Sequence, residues 1–129
     1  MAKRKRQIDD VRRLTGRWVF EMANMLIDES EVPMERSEAM RQAHLVRRLL
    51  ERLGQGRVEF EYCRGDGSLR RARGTLARGI DPEFDAYVGD GKRRDTDTLN
   101  FTYWDLQKHA FRSFSAGSVV TIEEGGSAL

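Results

Sequence analysis

The stretch VEFEYCRGDGSLRRARGTL, residues 58–76, alternates Val58, Phe60 and Tyr62 against Glu59 and Glu61. It turns at Gly65, Asp66 and Gly67, then returns with Ala72, Gly74 and Leu76 alternating against Arg71 and Arg73. A period of two with one apolar face is the signature of a half-buried strand, here repeated on both sides of a turn. For the two apolar faces to coincide, paired residue numbers must sum to an even value. That sets Phe60 against Ala72 or Gly74, and Glu59 and Glu61 against Arg71 and Arg73. A two-residue Asp-Gly turn gives an odd sum and would bury both arginines, so the register predicts a three- or five-residue turn or a bulge. Arg71 and Arg73 are then ladder partners of the glutamates, while Arg64 and Arg70 fall on the inward parity near the end of the hairpin.

Upstream of this hairpin the period is helical. Ile8, Val11, Leu14, Trp18, Met22 and Met25 form one stripe, with Gly16 a weak point in it. Pro33 breaks the pattern. Ala39, Ala43, Val46, Leu50 and Leu53 form a second stripe, widened by Leu45 and Leu49, that ends at Gly54, read as a left-handed stop. Downstream, LNFTYW (99–104), FRSF (111–114) and SVVTI (118–122) read as three further short strands. Between the second and third strands, residues 77–98 read as a long loop of the kind that is functional or disordered. The expected fold is α+β: an N-terminal helical hairpin packed on a small five-stranded SH3-like antiparallel β-barrel. Its expected divisions are a hairpin with a basic tail over 1–55, the barrel over 56–124, and a flexible tail over 125–129.

Composition narrows the function classes. The 129 residues carry 23 Lys and Arg against 21 Asp and Glu, a net charge of +2, but the charge is blocked. Residues 1–13 carry six basic and two acidic groups, residues 21–38 six acidic groups and one arginine, and residues 41–57 and 64–79 five arginines and one acid each. No apolar run is long enough for a transmembrane helix, and the start MAKRKRQIDD lacks the apolar segment of a signal peptide. The single cysteine, Cys63, excludes an internal disulfide and fits a reducing compartment.

The segment Val58–Ile122 resembles the short SH3 β-barrel fold-containing proteins of phages and mobile elements. Those read as a strand, a D-G-x-x-R-x-A-x-G-T-L hairpin, a Y-Y-D-L tetrad and a W-R-S-F strand. Asp66, Gly67, Arg70, Ala72, Gly74, Thr75 and Leu76 fill the hairpin pattern in register. Tyr103, Trp104, Asp105 and Leu106 match the tetrad with Trp for the second Tyr, and Phe111, Arg112, Ser113 and Phe114 match the last strand with Phe for Trp. The match spans roughly residues 37–122 and departs at the longer, more acidic 77–98 insertion. The strand order is also loosely similar to that of the WYL domain, a ligand- and nucleic-acid-sensing barrel whose Trp-Tyr-Leu motif is absent here. The resemblance implies the barrel fold, a mobile-element origin and the cytoplasm of a bacterial host; it does not imply an activity.

No catalytic constellation is visible: His44 lies on a helix, His109 in a turn, and Cys63 at a strand end. GDGKRR (89–94) lacks the Gly and Ser/Thr of a phosphate loop, and Asp90, Asp95 and Asp97 lack EF-hand spacing. The chain therefore reads as a non-enzymatic binding module with no cofactor and no metal. Its leading expected ligand is nucleic acid or a nucleotide-like anion, held by Lys3, Arg4, Lys5, Arg6, Arg12, Arg13, Arg64, Arg70, Arg78, Lys92, Arg93, Arg94 and Arg112. Trp104, Phe84 and Tyr87 are the aromatics available for base stacking. The alternative is a phage accessory or anti-defence protein that inhibits a host protein through the 77–98 loop or the methionine-rich surface of Met22, Met25, Met34 and Met40. A self-associating assembly component is a third reading.

Overall fold

A computed structural model describes residues 16–89 and 99–123. Two helices come first, α1 (Gly16–Glu29) and α2 (Arg36–Leu53). The strands β1 (Val58–Cys63) and β2 (Leu69–Thr75) follow, then a helix α3 (Pro82–Gly89). The chain closes with β3 (Asn100–Asp105), β4 (Ala110–Ser115), a 3-10 turn at Ala116–Ser118, and β5 (Val119–Glu123). The strands form one antiparallel sheet in the order β4-β3-β2-β1-β5. Among the described residues no helix is long and apolar enough to cross a membrane.

The hairpin register follows the even-sum rule. Phe60 pairs with Ala72, Glu59 with Arg73 and Glu61 with Arg71, leaving a five-residue turn over 64–68. Local chemistry builds that turn. The Asp66 carboxylate accepts the Ser68 N–H at 2.9 Å, Gly67 takes φ 89°, and the Arg64 N–H donates to the Ser68 carbonyl at 2.8 Å. Arg73 reaches Glu59 at 2.7 Å, and Arg71 reaches Glu123 at 2.9 Å and Glu61 at 4.0 Å. Between Glu61 and Tyr62 the β1–β5 register slips, bending the strand.

One apolar core joins helices and sheet. Trp18, Val19, Met22 and Leu26 of α1 and Ala39, Ala43, Val46, Leu50 and Leu53 of α2 meet Phe60, Phe101, Tyr103 and Phe114 of the sheet. Of the expected stripe of α1, Trp18 and Met22 are buried and Met25 is half-buried, with Val19, Ala23 and Leu26 completing the buried face; Ile8, Val11 and Leu14 lie outside the described residues. The end of α2 corrects one expectation, because Gly54 has φ −72° and is not a left-handed stop. The helix is ended instead by its ties to β2. The Leu76 N–H donates to the Leu53 carbonyl at 2.8 Å, and the buried Thr75 hydroxyl donates to the Gly56 carbonyl at 2.8 Å.

The expectation of a long loop over 77–98 is corrected too, since α3 occupies residues 82–89 of it. Asp81 precedes the helix and Pro82 opens it, a residue order suited to a helix start. The Asp81 carboxylate accepts the Glu83 N–H at 3.0 Å, and its carbonyl accepts the Asp85 N–H at 3.0 Å. Residues 90–98 lie outside the described residues.

Candidate nucleic-acid interface

The structure divides the expected basic residues into three groups. Lys3, Arg4, Lys5, Arg6, Arg12, Arg13, Lys92, Arg93 and Arg94 lie outside the described residues. Arg64 and Arg78 stand exposed with no ion pair among the described residues. Arg70 and Arg112 are engaged by the fold: Asp105 Oδ2 accepts from Arg70 Nη2 at 2.7 Å and lies 3.1 Å from Arg112 Nε. Asp105 Oδ1 accepts the N–H groups of Gln107 and Lys108 at 2.8 and 3.0 Å. Burial opposes the charge on Asp105, but these donors outweigh it and hold the carboxyl below its ordinary value. The same network reaches inward to Tyr103, whose hydroxyl lies 3.0 Å from that of Tyr62; burial and that neighbour push the Tyr103 pKa up. Both of these expected ligand cations face a buried carboxylate, Arg70 with its side chain 13 % exposed and Arg112 with 39 %.

Trp104 faces away from Phe101 and Tyr103, as its parity requires, but its expected exposure is corrected. It is 1 % exposed, because α3 covers that face of the sheet. Phe84, 3 % exposed, packs on Trp104 with ring centroids 5.7 Å apart, and Phe111 meets Trp104 edge-on at 5.0 Å. Above this base stand Tyr87 and Phe111, 54 % and 37 % exposed, with centroids 5.4 Å apart in a T-shaped pair. Tyr87 also touches Trp104 at 5.7 Å. Of the three aromatics expected to stack, Tyr87 alone is open, and Phe111 joins it.

The sheet end of α3 is fixed by polar contacts. Trp104 Nε1–H donates to Asp81 Oδ2 at 2.8 Å, and the Gly79 N–H donates to the Asp85 carboxylate at 3.1 Å. His109, at the β3–β4 turn with φ 54°, places Nδ1 2.9 Å from Asp81 Oδ2 and 3.2 Å from Glu83 Oε1. Asp81 is buried, and the Trp104 indole N–H, ahead of the Glu83 N–H and His109, holds its carboxyl below the ordinary value against the opposing effect of burial. Sequence reasoning did not group these residues, since Asp81 and His109 are 28 positions apart. The Asp-Pro pair ahead of an apolar run was the available signal for α3 itself.

Two other surfaces are less developed. A shallow depression of about 500 Å³ on α2 is lined by Glu38, Arg41, Gln42, His44, Leu45 and Arg48. Its Gln42 amide is taken by the carbonyls of Ala116 and Val119, both at 2.9 Å. Of the methionine surface Met22 is core at 2 % exposed, Met34 and Met40 are half-buried against the same cluster, and Met25 is half-buried.

Residues 46–119 match a protein family described as WYL_2, Sm-like SH3 beta-barrel fold. The matched segment begins inside α2 and runs through every strand to the first residue of β5. No curated protein and no solved structure matches the chain.

Proposed function

Because the chain belongs to the WYL_2 family, an Sm-like SH3 β-barrel fold, we propose that it is a non-enzymatic binding module that takes single-stranded nucleic acid on the α3 side of its sheet. The observation that carries this reading is the Tyr87–Phe111 pair. Two aromatic rings stand open to solvent on a buried Phe84–Trp104 base, so their positions are held before any ligand arrives. Rings of this kind stack on any base, contributing roughly 1–3 kcal/mol per base.

Basic residues follow the pair's Tyr87 closely in sequence. Lys92, Arg93 and Arg94 follow Tyr87 by five to seven positions in the segment that joins α3 to β3. Lys108 is exposed in the turn next to His109. Phosphate neutralisation by these groups, with Lys3 to Arg6 adding charge, supplies affinity and salt dependence, while stacking supplies the preference for unpaired strands. The protein-inhibitor reading rests on the same insertion; its methionine groove is weakened by the burial of Met22.

Fluorescence anisotropy with short single- and double-stranded DNA and RNA tests the reading. Single strands are expected to bind more tightly than duplexes, with log affinity falling linearly in log salt. Tyr87→Ala is expected to weaken binding by about 1–3 kcal/mol. Replacing Lys92, Arg93 and Arg94 together by Ala is expected to flatten the salt slope by about 2, from roughly 0.7 per phosphate contact. Absence of salt-steep binding at low ionic strength, or full affinity in Tyr87→Ala, overturns it.

A further inference from the structure

We propose that Asp81, Glu83 and His109 form a binding site for a divalent transition cation of the zinc class. Three side chains from three places in the chain converge here: the residue before α3, the first turn of α3, and the β3–β4 turn. One nitrogen and two carboxylate oxygens lie within 4.8 Å of one another. Imidazole with carboxylates is a donor set for zinc and its neighbours, and bonds of about 2.0–2.2 Å put adjacent ligand atoms roughly 3.0–3.5 Å apart. The separations from His109 Nδ1, 2.9 Å to Asp81 Oδ2 and 3.2 Å to Glu83 Oε1, are close to those edges.

The donors differ in how firmly they are held. Asp81 Oδ2 keeps one lone pair on the Trp104 indole N–H, which fixes the carboxylate and leaves the other directed at His109. Such an outer hydrogen bond orients a ligand and raises its worth to the metal. His109 and Glu83 are 57 % and 67 % exposed on their side chains, so the ion has an entry path and water completes its coordination. A carboxylate oxygen only accepts, so without metal the short contact requires a proton on Nδ1. On binding, that proton leaves to solvent or, by tautomer exchange, to Nε2, and the cation takes its place between the same three atoms.

The site bridges α3 to the β3–β4 turn and lies directly behind the Trp104 base. Occupancy is therefore expected to stiffen the insertion and to change the environment of the Trp104 indole.

Isothermal titration of the full chain with zinc chloride at neutral pH tests the proposal, paired with the visible absorption of added cobalt(II). One saturable site per chain is expected, with ligand-field bands from cobalt(II). His109→Ala and Glu83→Gln are each expected to lower the affinity about tenfold or more. Both side chains are exposed, so circular dichroism is expected to show both variants folded; Asp81, which starts α3, is left intact for that reason. His44→Ala, on the far helix, is expected to bind zinc as the parent does. No saturable binding in the parent, or unchanged affinity in His109→Ala, overturns the site and leaves a histidine clamped between two carboxylates.

Discussion

Replacing Asp105 by Asn should cost about 3 kcal/mol of folding stability, and replacing it by Ala toward 5. The magnitude follows from the contacts. Asp105 is fully buried at the end of β3, with two backbone N–H groups on Oδ1 and two guanidinium groups facing Oδ2. An asparagine there must point its NH2 either at Arg70 or at the Gln107 and Lys108 N–H groups, setting donor against donor in both orientations. One charge-assisted hydrogen bond is worth about 1.5–3 kcal/mol. The larger loss is that Arg70, with its side chain 13 % exposed, keeps a charge it can no longer pair. Against a total stability of about 5–15 kcal/mol, this is a large fraction. Urea unfolding followed by circular dichroism should show a midpoint lowered by 1 M or more, for a slope of ~1–3 kcal/mol per molar. Two controls separate the cause from general damage. Arg71→Ala, which breaks an exposed pair with Glu123, should change stability by less than about 1 kcal/mol. Arg70→Met added to Asp105→Asn should recover part of the loss, since the unpaired cation is then gone. An Asp105→Asn variant within about 1 kcal/mol of the parent would refute the reasoning. Arg70 and Arg112 would then be solvated and again available to a ligand.

Gly74→Ala should destabilise by about 1–3 kcal/mol in the same assay, because the added methyl would meet the buried Tyr103 ring at 2.5 Å and the Trp104 carbonyl at 3.0 Å. The pH dependence has a definite sign. Asp105 and Asp81 both have folded-state values below the ordinary 3.8, so the stability they supply is fully present above that value and is lost as pH falls through their lowered values. Urea midpoints should owe no change to these two groups between pH 7 and pH 5, then fall below about pH 4, and Asp105→Asn should show a shallower acid fall than the parent.

What the sequence made legible was the scaffold. Parity sets Glu59 and Glu61 on the face of Arg71 and Arg73, because a strand with one buried face tolerates no one-residue slip, and the five-residue turn selects Glu59 with Arg73 and Glu61 with Arg71 among the even sums. The residues that carry the resemblance turn out to be structural in an identifiable way. Asp66 and Gly67 make the turn, Gly74 lets Tyr103 approach, Thr75 ties β2 to the end of α2, and Arg70, Asp105 and Arg112 close one buried ion network. Sequence spacing does not show that Arg70, expected among the ligand cations, lies 2.7 Å from a carboxylate 35 positions away. The candidate site was hidden for the same physical reason. Tyr87 and Phe111, and Asp81 and His109, meet only because α3 folds back over β3 and β4, and no local period records that contact. In the proposed binding reading the ligand therefore meets Tyr87, in the insertion where the chain departs from the recognisable pattern, and Phe111, the exposed motif residue that faces it from β4.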